Sequence, residues 1–152
     1  MSAEDRLKAL GLELPALPQP AGSYTRAVRT GNLIFVAGQL PLKQGKIAFS
    51  GKVGKDLSVE EGYEAAKLCA LNALSILKAE TGALDNIVQV VRLTGFVCSA
   101  DGFIDQPQVV NGASEFFAEV LGERGIHARL AVGASELPLG SAVELEVIAE
   151  VS

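Results

Sequence analysis

The stretch from His127 to Val147 limits the fold more than any other part of the chain. Arg129 opens the apolar run Leu130-Ala131-Val132, and Leu137-Pro138-Leu139-Gly140 is a turn signal. Ala142 to Val151 then reads as a strand, with Glu144 and Glu146 two residues apart. Successive strand residues point to opposite faces, so both glutamates lie on the same face. Two strands joined by a tight turn require a sheet. An arginine at the head of one strand and carboxylates on the next make a corner for binding an anion and activating water. The planar guanidinium fork matches a carboxylate bidentately. The same spacing also fits a strand with one solvated face and a surface arginine, and at this level both readings stand.

The rest of the chain supplies a sheet and its cover. Residues 3–10 form a short helix capped by Ser2 and ended by Gly11. Leu14 to Pro20 contains three prolines and cannot be helical. It forms an extended segment lying over the domain. Ser23–Val28 and Asn32–Ala37 flank the turn Arg29-Thr30-Gly31 and predict a β-hairpin. Leu33 to Ala37 is apolar throughout, the pattern of a strand covered on both faces. Lys46–Phe49 is a short strand. Gly51-Lys52-Val53-Gly54-Lys55 lacks the spacing of a phosphate loop and reads as a flexible loop. Ser58 caps a helix that runs to Gly82, and Asn72 inside it reads as a satisfied amide. Ile87–Val97 is a strand, and Pro107 opens a second long helix ending near Gly122. The sum is an α+β layer sandwich: a mixed sheet with two long helices on one face. At 152 residues the chain reads as one domain, 1–152, with residues 1–20 an N-terminal helix and Pro-rich extension.

Charge and composition remove several function classes. The net charge is −5 and no Lys/Arg-rich run occurs, which argues against a nucleic-acid partner. No apolar stretch has the roughly 18 residues of a membrane helix. The charged start lacks a signal-peptide core, and Cys69 and Cys98 read as buried free thiols. These features place the expectation in the cytoplasm, without a membrane partner. One histidine and no ligand spacing predict no metal. The apolar share of 49% without tryptophan leaves surface for burial between subunits.

Ala-Arg before an apolar run, then Leu-Pro, then Val143-Glu144-Leu145-Glu146, resembles the closing signature of the RidA (YjgF) family of enamine/imine deaminases. Gly22-Ser23-Tyr24, Gly38-Gln39-Leu40-Pro41 and Asn111 ahead of Glu115-Phe116-Phe117 fall in the matching order. The resemblance covers residues 20 to 152. It implies a chorismate-mutase-like fold and a homotrimer with clefts between subunits. It also implies hydrolysis of reactive enamines and imines, of the 2-aminoacrylate type, to 2-oxo acids and ammonia, without a cofactor. The partner would be a small carboxylate-bearing metabolite.

By the same resemblance, Arg129 clamps the substrate carboxylate and Glu144 positions the hydrolytic water. Tyr24, Asn111 and Gly38 line the cleft. His127 stands where the family usually has proline, and Ala131 where it commonly has cysteine. The motif at Tyr24 reads Gly-Ser-Tyr rather than Gly-Pro-Tyr. The N-terminal extension and added residues near 50–57 mark a longer branch that could reshape the cleft. His127, whose side chain titrates near neutrality, is a candidate for substrate contact or proton transfer; its other reading is a structural histidine at a strand start. A non-catalytic trimer that binds small carboxylates, or regulates a partner enzyme, is the alternative function. Family members are often labelled ribonucleases, a reading the acidic charge disfavours.

Overall fold

Among the described residues the α-helices and β-strands follow one another in a fixed order. They are α1 (Ala3–Ala9), β1 (Ala27–Thr30), β2 (Leu33–Gln39), β3 (Leu42–Lys43), β4 (Lys46–Ile47), α2 (Val59–Thr81), β5 (Ile87–Cys98), α3 (Gln106–Leu121), β6 (Ala128–Ala134) and β7 (Val143–Val151). The computed structural model describes residues 1–20 and 22–152. The main sheet has the order β1-β2-β7-β5-β6, and β3 and β4 form a separate small hairpin. β5 and β6 pair in parallel, with α3 as the crossover; the other pairings of the main sheet are antiparallel.

Strand alternation decides which face is covered. Along β7, Val143, Leu145, Val147, Ala149 and Val151 are buried. Glu144, Glu146, Ile148 and Glu150 point the other way. The buried set meets α2 and α3, whose inward faces supply Ala65, Cys69, Ala73, Leu77, Phe116 and Phe117. The helices therefore cover one face only, as the sequence pattern predicts. α2 starts at a capping box in which Ser58 and Glu61 satisfy each other's backbone N–H. It ends at left-handed Gly82. Asn72, buried in α2, donates to the carbonyls of Leu40 and Leu42 and ties β3 to the helix layer.

Two expectations need correction. Within one chain the apolar run of β2 is covered on one face only: Ile34 and Val36 are buried, but Phe35 is 42% exposed. β2 lies beside the edge strand β1, and the helices lie on the other side of the sheet. Nor is the loop at 51–55 loosely attached. Val53 is fully buried, its N–H donates to the Cys98 carbonyl, and its own carbonyl accepts from Ala100. Lys52 bonds the Ser135 carbonyl and pairs with Glu136 at 3.1 Å. A buried valine inside the glycine-rich stretch is the apolar anchor that a reading for glycine alone overlooks.

The N-terminal extension is pinned at both ends. Ala3 and Leu7 of α1 are buried. The Ala3 N–H donates to Asp85 at 3.0 Å and the Leu84 N–H to Glu4 at 2.8 Å. The Ala3 N–H, followed by the Arg124 guanidinium, holds the Asp85 carboxyl below its usual range. At the far end, Arg26 donates through Nε to the Pro18 carbonyl. Between these anchors residues 11–19 arch over α2 and enclose a cleft of about 1130 Å³ against Leu68, Leu71, Phe49 and Leu42.

Candidate functional site

Arg129 sits near the start of β6, an edge strand, and its side chain lies on the helix face of the sheet. There the first turns of α3 hold it. Nη1 donates to Asn111 Oδ1 at 2.8 Å and to Ser114 Oγ at 3.1 Å; Nη2 donates to the Pro107 carbonyl at 3.1 Å. Asn111 and Ser114 are three residues apart on one helix, so they share a face and reach the same guanidinium. These bonds use three of the five guanidinium donors. Among the described residues that leaves two N–H groups for a ligand, enough to grip one carboxylate.

His127 joins this cluster through Ser114. Its Nε2 lies 2.8 Å from Ser114 Oγ, and its Nδ1 lies 2.7 Å from the Gly125 carbonyl. The ring stands edge-on to Phe117 with centroids 6.0 Å apart. Burial pushes the His127 pKa down, and the neighbouring Arg129 charge adds to this; the hydrogen bond to Gly125 opposes it. The neutral imidazole is the favoured form.

Glu144 occupies a different place. It lies on the open face of β7, where burial raises its pKa and the Glu146 charge raises it further. β2 bulges between Val36 and Gln39, and the bulge sets Gly38 against the Glu144 carboxyl. A Cβ at position 38 would collide with that carboxyl group. Glycine leaves room here for the carboxyl to lie against the backbone; a side chain at position 38 would push the Glu144 carboxyl aside. Gly38 also lines a pocket of about 170 Å³ together with Tyr24, Arg26, Pro18 and Leu139. Leu139 is held at φ 58°, in the left-handed region, by the turn ahead of β7.

The structure thus groups the candidate residues in two sets. Arg129, Asn111 and His127 form one; Glu144, Gly38 and Tyr24 form the other. The corner expected from β6 and β7 does not form within one chain. These strands are consecutive in sequence but are separated in the sheet by β5, and Arg129 and Glu144 lie on opposite faces. A crossover connection had inserted β5 between them, which spacing along the chain cannot reveal. Ser114 was not among the sequence candidates. The sequence shows only that it lies one helical turn after Asn111; that it meets Arg129 appears once α3 packs beside β6. Among the described residues no group of three or more His, Cys, Asp or Glu side chains could hold a metal ion.

Comparison with known proteins gives the family of the chain. A family model described as YjgF/chorismate mutase-like matches residues 4–151. Protein TCP17 of Trypanosoma cruzi is 42% identical over 147 residues, covering 96% of this chain and 92% of that protein. The crystal structure of Atu1372 from Agrobacterium tumefaciens, itself of unknown function, superposes with a TM-score of 0.93 at 46% identity, covering 99% of this chain and 92% of that one. A 2-iminobutanoate/2-iminopropanoate deaminase of Dermatophagoides farinae is 27% identical over 137 residues, covering 90% of this chain and 92% of that protein. With a family model spanning nearly its whole length, over a mixed sheet backed on one face by helices, the chain belongs to the RidA/YjgF family.

Proposed function

We propose that the protein hydrolyses enamine and imine derivatives of small 2-amino acids to 2-oxo acids and ammonia, at a site completed between copies of the chain. The observation that carries this reading is the guanidinium of Arg129, fixed by three bonds at a sheet edge with two donors remaining. A pre-set guanidinium orients a substrate carboxylate and leaves the adjacent imine carbon to a second group. Glu144 from a neighbouring copy supplies that group. Burial and the Glu146 charge raise its pKa, which makes the carboxylate a better proton acceptor. Water adds to the imine carbon while Glu144 accepts its proton. Glu144 passes that proton to the imine nitrogen, which gives the neutral carbinolamine, and then moves the hydroxyl proton to nitrogen as the C–N bond breaks, leaving the 2-oxo acid and ammonia. One imine and one water give one oxo acid and one ammonia.

The open face of the sheet supports assembly. Val28, Phe35, Val91 and Leu130 are each 38% exposed or more, on the face that the helices leave uncovered. Three copies arranged head to tail close a ring and bring an Arg129 edge of one copy to the Gly38 and Glu144 corner of the next. The test is a coupled assay in which a threonine dehydratase generates 2-iminobutyrate and its decay is followed. Wild type accelerates the decay and Arg129→Ala loses at least a hundredfold in kcat/KM. Tight binding of 2-oxobutyrate without acceleration would instead make the protein a carboxylate binder.

A further inference from the structure

We infer that Ser114 and His127 form a directed hydrogen-bond relay that orients Arg129 for carboxylate binding; this rests on the reading of Arg129 given above. The direction of the relay follows from what each group can do. The Gly125 carbonyl can only accept, so the Nδ1 that faces it at 2.7 Å carries the ring proton. In the neutral ring Nε2 is then bare and must accept. Ser114 Oγ, 2.8 Å away, donates its single hydroxyl proton to it. The lone pairs of the same oxygen are thereby turned toward Arg129 Nη1, which donates at 3.1 Å. Four groups are linked in one sense: Arg129 to Ser114, Ser114 to His127, His127 to Gly125.

Each link removes a freedom from the guanidinium. A serine hydroxyl alone can rotate and offer the arginine either its proton or a lone pair. With the proton committed to His127, only the lone pair is offered. The ring cannot readily turn away, because Phe117 flanks it edge-on and the Gly125 carbonyl holds its other nitrogen. A neutral ring also adds no second positive charge beside Arg129. Both side chains are positioning residues, acting through Arg129 and touching no substrate.

The chain has a single histidine, so its ring nitrogens are unambiguous by 15N NMR. In wild type near pH 7.5 the expected spectrum is the neutral Nδ1–H form with a hydrogen-bonded Nε2. Ser114→Ala should shift the Nε2 resonance and raise KM for 2-iminobutyrate about tenfold with kcat changed less than twofold, the pattern of lost binding orientation. Ser114→Thr, which keeps the hydroxyl, should restore both. An Nε2–H ring in wild type overturns the relay. So does a Ser114→Ala protein with unchanged KM, or one with lowered kcat and unchanged KM. If wild type turns nothing over, the deaminase reading falls. The relay is then judged by the ring spectrum and by the affinity for 2-oxobutyrate, which Ser114→Ala should weaken about tenfold.

Discussion

At Glu144 a carboxyl group sits half-buried against the Gly38 backbone, with Glu146 on the same face. Burial raises its pKa in the folded chain. The folded state therefore favours the protonated form. That contribution to stability is fully present below the unfolded carboxyl value near 4.5 and is lost as pH rises through the raised folded value. Above that raised value the ionised side chain weakens the fold. Glu144→Gln should consequently raise Tm at pH 7, with the gain vanishing at about pH 4, while deamination is lost. Thermal unfolding at the two pH values checks this; a Tm lowered at pH 7 would show that the carboxylate is stabilised by contacts of its own. His127 works in the opposite sense. Its depressed pKa gives stability that is present above the unfolded value and lost as pH falls through the folded one.

At the scale of elements, helices α2 and α3 were legible because their caps, periodicity and stops agree: Ser58 and Gly82 bound α2, and Gly122 closes α3. β7 was legible from its alternation. Strand neighbours were not, because order in the sheet depends on where the α3 crossover lands and not on spacing in the chain. For that reason Arg129 and Glu144 could be identified from sequence but not placed on their separate faces. The relay was half visible: His127 stood out as the one histidine, but Ser114 carries no pattern until α3 and β6 are laid side by side. The N-terminal extension was read as an overlying segment, and α1 shows what holds it there. Leu7, almost fully buried among the core residues, is the anchor. Leu7→Ala should cost about 2–4 kcal/mol in urea unfolding. A change below 0.5 kcal/mol would mean that α1 is only loosely docked.

For the whole molecule, the proposed ring makes a mass prediction. Light scattering should give three times the 15.8 kDa of one chain, and Phe35→Asp should shift it toward the monomer by placing a charge on the open face. The separation of Arg129 and Glu144 onto opposite faces also has a consequence for inheritance of activity. On the proposed mechanism, a chain lacking Arg129 and a chain lacking Glu144 should each be inactive alone. Unfolded together in equal amounts and reassembled, they can pair an intact arginine from one parent with an intact glutamate from the other, and random assortment restores about one site in four. Two defective copies of the chain in one cell would then complement each other. A site built within a single chain would give no recovery at any mixing ratio.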